Sequence, residues 1–151
     1  MMMAASRLFI DTNVIVHYII DQSVRHSTAQ QIILSYQQAG YELWISRQVI
    51  REFLATLSRP QGYTTQGKSI SATQLIAEAR LLQTQYYIAE DNRDVTEQLL
   101  SLLASIYVGG KQIHDANIVA TRQANGITHL LTENVSDFIH YSRLITIVPL
   151  T

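Results

Sequence analysis

The sequence predicts an α/β protein, a three-layer α/β/α sandwich with a mainly parallel central sheet of about four to five strands. Short, continuously apolar segments such as 8–10 alternate with longer segments in which apolar residues recur at helical spacing. Strands that alternate with helices favour a parallel sheet with helices on both faces. With 151 residues, the chain is long enough to be stabilised by a hydrophobic core without disulfides or structural metals. We expect one domain over residues 1–151.

In the first half of the chain, each element has a local signal. The run 8–10 is apolar throughout, as in a strand buried on both faces, and it stops at Asp11. Gly40 ends the second helix, and Ser46 is a preferred N-cap for the helix after the second strand. The predicted elements are a strand at 8–10, helices at 14–20 and 27–39, a strand at 43–45 and a helix with one apolar stripe at 49–57.

In the second half, glycine and proline separate the elements. The segment 58–69 contains Pro60, Gly62 and Gly67 and is predicted to be a loop. Gly109-Gly110 and Asn125-Gly126 are expected to end the last two helices. The predicted elements are a helix at 71–83, a strand at 86–89, helices at 96–108 and 113–124, a strand at 128–131, a polar turn at 132–137 and a strand at 144–148.

Composition narrows the class of protein. The chain has no cysteine, which excludes disulfides and thiolate metal sites and fits a reducing cytosol. No apolar stretch approaches the ~20 residues of a membrane span, and the N-terminus lacks a secretory signal, so we expect a soluble cytoplasmic protein with no membrane partner. The net charge of -1 provides no global positive field for nucleic acid. Such a partner would have to be held by local cations and metal.

Four acidic residues follow the predicted strands or begin the predicted helices. Asp11 follows a strand, Glu52 lies on the helix after a strand, Asp115 starts a helix and Asp137 follows a later strand. Ligands of open parallel sheets bind beyond the carboxyl ends of the strands, where these residues can converge. Three of them also have an ordinary explanation: a helix N-cap for Asp11, a solvated helix position for Glu52 and the helix dipole for Asp115.

A carboxylate cluster of this kind favours a hard cation. Carboxylates that are forced together raise one another's pKa values unless a cation lies between them. Magnesium suits oxygen ligands and retains several waters. A metal-activated water could then attack a phosphodiester, with no need for a Cys, Lys or His nucleophile. An in-line attack would leave a 3′ hydroxyl and a 5′ phosphate.

The motifs around these acids occur in a fixed order. They are Phe-Ile-Asp-Thr-Asn-Val at 9–14, Ile-Ser-Arg-Gln-Val-Ile-Arg-Glu-Phe at 45–53, His-Asp-Ala at 114–116 and Leu-Thr-Glu-Asn-Val-Ser-Asp-Phe at 131–138. Together they resemble the PIN domain, specifically the VapC-type toxins of bacterial toxin–antitoxin pairs, over roughly residues 8 to 148. The resemblance implies a PIN-like fold, Mg²⁺ or Mn²⁺ bound by carboxylates, and cleavage of RNA. It also implies a homodimer and a cognate antitoxin that blocks the active site.

The resemblance implies a metal-binding core of Asp11, Glu52 and Asp115, and we predict Asp137 as a fourth carboxylate that acts directly or through water. Asn134 stands where many PIN domains have an aspartate, which would weaken the site or leave one metal instead of two. Glu133 is expected to be solvated. The predicted supporting residues are Thr12, Asn13, Thr132 and Asn134.

Basic residues near these acids are candidates for holding the rest of an RNA substrate, although each is also explained as an ordinary surface cation. The candidate substrate-binding cations are Arg47, Arg51, Lys68 and Lys111, with Arg122 two turns beyond Asp115.

The residues beside the acids raise two alternative functions. The first is a catalytically silent PIN-like module that binds RNA or protein, which Asn134 leaves open. The second is a phosphatase with an aspartyl nucleophile, which would require Asp-x-Asp, whereas the third residue here is Asn13.

Overall fold

The structure is a computed structural model that describes residues 5–59, 64–65 and 68–151, without the side chains of residues 64, 65 and 68. Five strands form a parallel sheet in the order β5-β2-β1-β6-β7, and β3 and β4 form a small antiparallel pair of their own. The strands are β1 (Arg7–Ile10), β2 (Glu42–Ser46), β3 (Thr64–Thr65), β4 (Lys68–Ser69), β5 (Tyr87–Ala89), β6 (His129–Thr132) and β7 (Thr146–Pro149).

Helices cover both faces of this sheet. Leu8, Phe9 and Ile10 of the central strand are completely buried although they point alternately to opposite faces. The first helix packs against the second and third, and the fifth packs against the sixth. The helices are α1 (Thr12–Ile19), α2 (His26–Gln38), α3 (Arg47–Leu57), α4 (Ala72–Gln85), α5 (Arg93–Ser105), α6 (Gln112–Ala124) and α7 (Val135–Phe138), followed by a 3-10 turn at Ile139–Tyr141. The predicted α/β/α sandwich with a mainly parallel sheet is confirmed.

The strand order creates a crevice beside the central strand. From β1 the chain builds β2 and β5 on one side of the sheet, and it later builds β6 and β7 on the other side. Connections that leave neighbouring strands in opposite directions open a crevice beyond the carboxyl ends of those strands. The backbone N–H of Asp11 donates to the carbonyl of Leu131 at 3.0 Å, so β1 and β6 stay paired up to this edge.

Helix caps fix the residues at the strand ends. Asp11 is the N-cap of α1, and its side chain accepts a hydrogen bond from the backbone N–H of Thr12. Ser46 is the N-cap of α3, as predicted, and its hydroxyl accepts from the backbone N–H of Val49. Each of these strands therefore turns into a helix within one or two residues, with no flexible loop between them.

Apart from shifts of one or two residues at the ends of elements, the structure differs from the predicted elements in three places. The helix predicted at 96–108 lies three residues earlier, because the side chain of Asn92 caps it by accepting from the N–H of Val95. The segment 58–69 contains the β3–β4 pair, while Pro60, Gly62 and Gly67 lie outside the described residues. The predicted turn at 132–137 includes the start of α7. Within the described ranges, no helix is long and apolar enough to cross a membrane.

Candidate active site

A cleft of about 710 Å³ lies beyond the carboxyl ends of β1 and β6. Side chains from α1, α3, α6 and the β6–α7 region line it. All four predicted carboxylates face this space, although they come from distant parts of the sequence. The acidic residues that line the cleft are Asp11, Glu52, Asp115, Glu133 and Asp137.

Asp11 is buried and held by three donors. Its Oδ1 accepts from the backbone N–H of Thr12 at 2.8 Å, and its Oδ2 accepts from Asn13 Nδ2 at 3.1 Å and from the hydroxyl of Thr132 at 2.8 Å. Burial raises the pKa of Asp11, and the hydrogen bond from Thr132 partly opposes this rise. Asp11 is therefore both the helix N-cap and an oriented carboxylate of the cleft, so the two explanations of this residue do not exclude each other.

Glu52 is exposed on α3, but both of its oxygens have donors. Oε2 accepts from the hydroxyl of Thr12 at 2.8 Å, and Oε1 accepts from Gln48 Nε2 at 2.8 Å. Thr12 thus donates its backbone N–H to Asp11 and its hydroxyl to Glu52, which links the two carboxylates. Gln48 lies one turn before Glu52, so the donor and its acceptor share one face of the helix.

Asp115 and Asp137 form the other side of the acidic cluster. Asp115 lies half-buried in the first turn of α6, and Asp137 is exposed in α7. Neither side chain accepts a hydrogen bond from the residues that the structure describes. Burial raises the pKa of Asp115 to about 6, and the negative charges of Asp137, Asp11 and Glu52 contribute to the rise. The carboxylate oxygens of this pair therefore have no donor among the described residues and lie close to other negative charges.

The donor set of the cleft suits a magnesium-like ion. Among the described residues, no three His, Asp or Glu side chains are arranged to hold one ion directly. Mg²⁺, however, is commonly bound through one or two carboxylates while it keeps several waters. A cation would also relieve the repulsion that raises the pKa of Asp115. The residues that can hold such an ion, directly or through water, are Asp11, Glu52, Asp115 and Asp137.

Glu133 is not simply solvated, in contrast to the prediction. Its Oε2 lies 2.8 Å from His17 Nε2 and 3.8 Å from Arg25 Nη1, and its backbone N–H donates to Asn13 Oδ1 at 3.1 Å. His17 Nδ1 also lies 2.5 Å from the hydroxyl of Ser23. These contacts connect Glu133 to α1 and to the segment after it, so its carboxylate is engaged beside the cluster.

Thr132 and Asn134 lie at the end of β6. The hydroxyl of Thr132 donates to Asp11 and accepts from the backbone N–H of Asn134 at 3.0 Å. Thr132 is completely buried, whereas Asn134 is exposed and lines the cleft near Asp137. The side-chain amide of Asn134 makes no hydrogen bond within the described residues, so it faces the cleft as a neutral polar group.

The predicted substrate-binding cations do not line the cleft where their side chains are described. Arg47 forms two hydrogen bonds with the carboxylate of Glu90, at 2.8 and 2.7 Å. Arg51 and Lys111 are exposed outside the cleft. The side chain of Lys68 lies outside the described residues.

Arg122, which the sequence suggested as a further cation near Asp115, is completely buried. Its Nη2 donates to the carbonyl of Ile127 at 3.2 Å. The side chain lies on the inward face of α6 together with Val119, which is also fully buried. Arg122 is therefore a core residue that has no access to a substrate in the cleft.

Arg59 is the one Lys or Arg residue that lines the cleft among those described, and the sequence analysis missed it. It lies two residues beyond the end of α3 at Leu57, so helical spacing gave no signal for it. Gln48 was missed as well. Its spacing of four residues from Glu52 could have indicated the hydrogen bond between them.

Solved structures share this fold at low sequence identity. A chain of a toxin–antitoxin complex from Klebsiella pneumoniae has a TM-score of 0.66 and 18% identity, with 98% of each chain covered. A chain of VapBC2 from Rickettsia felis bound to a promoter DNA fragment has a TM-score of 0.64 and 16% identity, with 95% of this chain and 98% of that chain covered. VapC20 from Mycobacterium tuberculosis, a sarcin-ricin loop cleaving toxin, has a TM-score of 0.60 and 21% identity, with 82% of this chain and 86% of that chain covered.

The sequence identifies the family independently of these structures. No curated protein sequence matches the chain. The sequence model of the PIN domain, however, matches residues 8–144. This match covers all four acidic residues that were predicted for the site. The protein therefore belongs to the PIN domain family.

Proposed function

We propose that this protein is a Mg²⁺- or Mn²⁺-dependent endoribonuclease that cleaves RNA phosphodiester bonds. The observation that carries the proposal is the convergence of Asp11, Glu52, Asp115 and Asp137 on one cleft. Burial, together with the neighbouring carboxylates, raises the pKa of Asp115 to about 6 and therefore costs stability in the metal-free protein. A costly acidic cluster at a sheet crevice favours a catalytic role over a structural one.

The four carboxylates of the cleft would have different roles in such a reaction. Asp11 and Glu52 are held by hydrogen bonds and need no reorientation when a ligand enters. Asp115 and Asp137 offer oxygens that have no donor among the described residues. A divalent cation, when bound, supplies a water of lowered pKa as the nucleophile and offsets the negative charge of the attacked phosphate. The expected products carry a 3′ hydroxyl and a 5′ phosphate.

We further propose that the protein is the toxin of a toxin–antitoxin pair and acts in the cytoplasm. The support is the likeness of its fold to a toxin–antitoxin complex and to VapC20, a sarcin-ricin loop cleaving toxin. A homodimer and an antitoxin would need apolar surface, and Leu34, Ile76 and Leu81 are each about half exposed on α2 and α4. Light scattering on the isolated protein and co-purification with the product of an adjacent gene test the two partnerships.

A catalytically silent PIN-like module that binds RNA or protein is the second candidate. Two observations favour it: no three described acids are arranged as direct ligands, and Asn134 places a neutral amide beside Asp137. In this case the cleft would bind a partner without cleaving it.

The deciding experiment is cleavage of a panel of structured and single-stranded RNAs by the purified protein. Reactions contain Mg²⁺, Mn²⁺ or a chelator, and Asp11→Asn is purified in parallel. Asp11→Asn thereby also controls for contaminating nuclease, and Arg80→Gln, at an exposed position of α4 outside the cleft, controls for the effect of a substitution as such. We expect cleavage by wild type and Arg80→Gln with metal, and none with the chelator or Asp11→Asn. Binding without cleavage across the panel would support the silent module instead.

A further inference from the structure

One face of α3, together with the residues just after it, forms a wall of the cleft. Gln48, Glu52, Ala55 and Thr56 line the cleft at the spacing of a single helix face, and Arg59 lines it two residues beyond the last helical residue, Leu57. Ala55 and Thr56 lie between Glu52 and Arg59 and have short side chains, so this stretch of the wall is open to a chain that lies along it.

Arg59 has no partner within the described part of the chain. It is exposed and forms no hydrogen bond or ion pair with any residue that the structure describes. Other arginines behave differently: Arg7 contacts Glu42, Arg25 donates to the carbonyl of Leu150, and Arg47 pairs with Glu90. Arg59 shares a cleft with five carboxylates and pairs with none of them. Its five N–H donors are therefore available to a ligand.

An RNA strand in this cleft needs a cation beside the acidic cluster. Each nucleotide brings a negative phosphate, and a metal held by the cluster offsets charge only at the bond that is cleaved. The next phosphate along the strand must be held by a basic side chain. A guanidinium suits this task because its planar donors match two phosphate oxygens at once.

We propose that Arg59 binds the phosphate next to the one that is cleaved, so that the RNA strand runs along α3 from Glu52 towards Arg59. The inference rests on the proposed ribonuclease function and assigns a direction to the substrate. The cluster marks the cleaved bond, and Arg59, just beyond the end of α3, marks the neighbouring nucleotide. Substrate recognition on this side of the cleft therefore depends on the charge of the RNA backbone.

The first test measures binding in the absence of cleavage. In an Asp11→Asn background, the affinity for a fluorescein-labelled single-stranded oligoribonucleotide of mixed sequence is determined at a series of salt concentrations by anisotropy. We expect Arg59→Gln to weaken binding roughly 10-fold and to reduce the slope of log K against log salt by about 0.7, the value for one phosphate contact on a single strand. Arg59→Lys should keep the slope and lose part of the affinity.

Arg80→Gln is the matched control, because it removes an equally exposed arginine outside the cleft. It should leave both the affinity and the slope unchanged. All variants should melt at the wild-type temperature, since both side chains are exposed. The inference is overturned if Arg59→Gln binds like Arg80→Gln, or if the labelled RNA does not bind at all.

A second test separates this inference from the proposed function. In the otherwise wild-type protein, Arg59→Gln should lower kcat/KM about 10-fold, mainly through KM, because the contact is made before and during the reaction. If wild type cleaves RNA but Arg59→Gln and Arg80→Gln are equally active, only the role of Arg59 is overturned. If wild type does not cleave RNA but Arg59→Gln still weakens binding, the ribonuclease function is overturned and the phosphate contact stands.

Discussion

The carboxylates on the two sides of the cleft differ in their hydrogen bonding. On the braced side, formed by Asp11 and Glu52, the two carboxylates accept five hydrogen bonds from Thr12, Asn13, Gln48 and Thr132. On the open side, formed by Asp115 and Asp137, the carboxylates accept none from the residues that the structure describes. The carboxylates of the braced side therefore have hydrogen-bond donors before any ligand binds, whereas those of the open side have none among the described residues.

This difference indicates where the cation matters most. A carboxylate that already accepts several hydrogen bonds has much of its charge compensated by the protein. Burial raises the pKa of both Asp11 and Asp115, but hydrogen bonds oppose the rise only at Asp11. At Asp115 three neighbouring carboxylates add to the rise, and its pKa reaches about 6. The hydrogen-bonded carboxylates of the braced side thus fix the geometry of the site, while a bound cation would mainly compensate the negative charge of the open side. The following predictions test this division, from the largest expected effect to the smallest.

Replacement of Asp11 by Asn should have the largest effect. The change removes a negative charge and replaces one of the two oxygens that accept from three donors by an NH₂ group. We expect cleavage to fall by more than the roughly 100-fold that is typical of losing an outer partner of a metal site. Single-turnover kinetics measure the loss. A variant that keeps a substantial part of wild-type activity would show that the braced side is not essential.

Thr132→Val should be the second most harmful change. It removes the hydroxyl that donates to Asp11 and accepts from the N–H of Asn134 inside the protein. We expect metal affinity or cleavage to fall about 10- to 100-fold. The free energy of unfolding should fall by about 1 to 3 kcal/mol, because the buried carboxylate of Asp11 loses a donor. Calorimetric titration with Mn²⁺ and thermal melting check both parts, and unchanged metal affinity would limit Thr132 to a structural role.

Asp115→Asn should change the pH dependence of stability. The folded protein binds a proton at Asp115 with a pKa of about 6, against an ordinary value of 3.8. The penalty on folding is therefore fully present above about pH 6 and is lost as pH falls towards 3.8. Without metal, wild type should gain stability relative to Asp115→Asn as the pH is lowered through this window.

Thermal melting of both proteins in chelator, at several pH values, measures that relative gain. Saturating Mg²⁺ should abolish it, because a cation in the cluster keeps Asp115 ionised. Parallel pH profiles of the two proteins in chelator would contradict the raised pKa. Such a result would also remove the argument that the open side is electrostatically crowded.

Glu133→Gln should have the smallest effect on cleavage. Although Glu133 lines the same cleft, its carboxylate is engaged by His17 and Arg25. We expect a loss of no more than about 3-fold and a fall in stability of about 1 kcal/mol or less, as for a partly exposed ion pair. Asp137→Asn is the matched comparison and should reduce activity much more. Equal losses in the two variants would place Glu133 within the metal-binding group.

The sequence predicted the elements and the positions of the four acids because these depend on local signals. The buried strand before Asp11 and the N-cap at Ser46 are visible within a few residues. Asn92 carried the same kind of signal and went unused, which displaced the predicted α5 helix by one turn.

Tertiary contacts were not predictable in this way. The side chain of Glu133 contacts His17, which is 116 positions away in the sequence, and Arg47 donates to Glu90, which is 43 positions away. No periodicity encodes such pairs. Arg122 is a cation on the apolar face of a helix, and only the packed structure shows that it is buried. Which cation faces the cleft therefore depended on the fold, and Arg59 emerged only from it.

The pairing of β1 with β6 has a consequence for how the protein is made. The hydroxyl that holds Asp11 belongs to Thr132, 121 positions later in the chain. A ribosome extends the chain from its N-terminus by about 5 to 20 residues per second. Until residues 132–137 have emerged from the ribosome, Asp11 lacks Thr132 and the cleft lacks Asp137. A translation product that terminates before these residues would therefore carry no assembled cleft, and an inhibitor would need to neutralise only chains that extend beyond them.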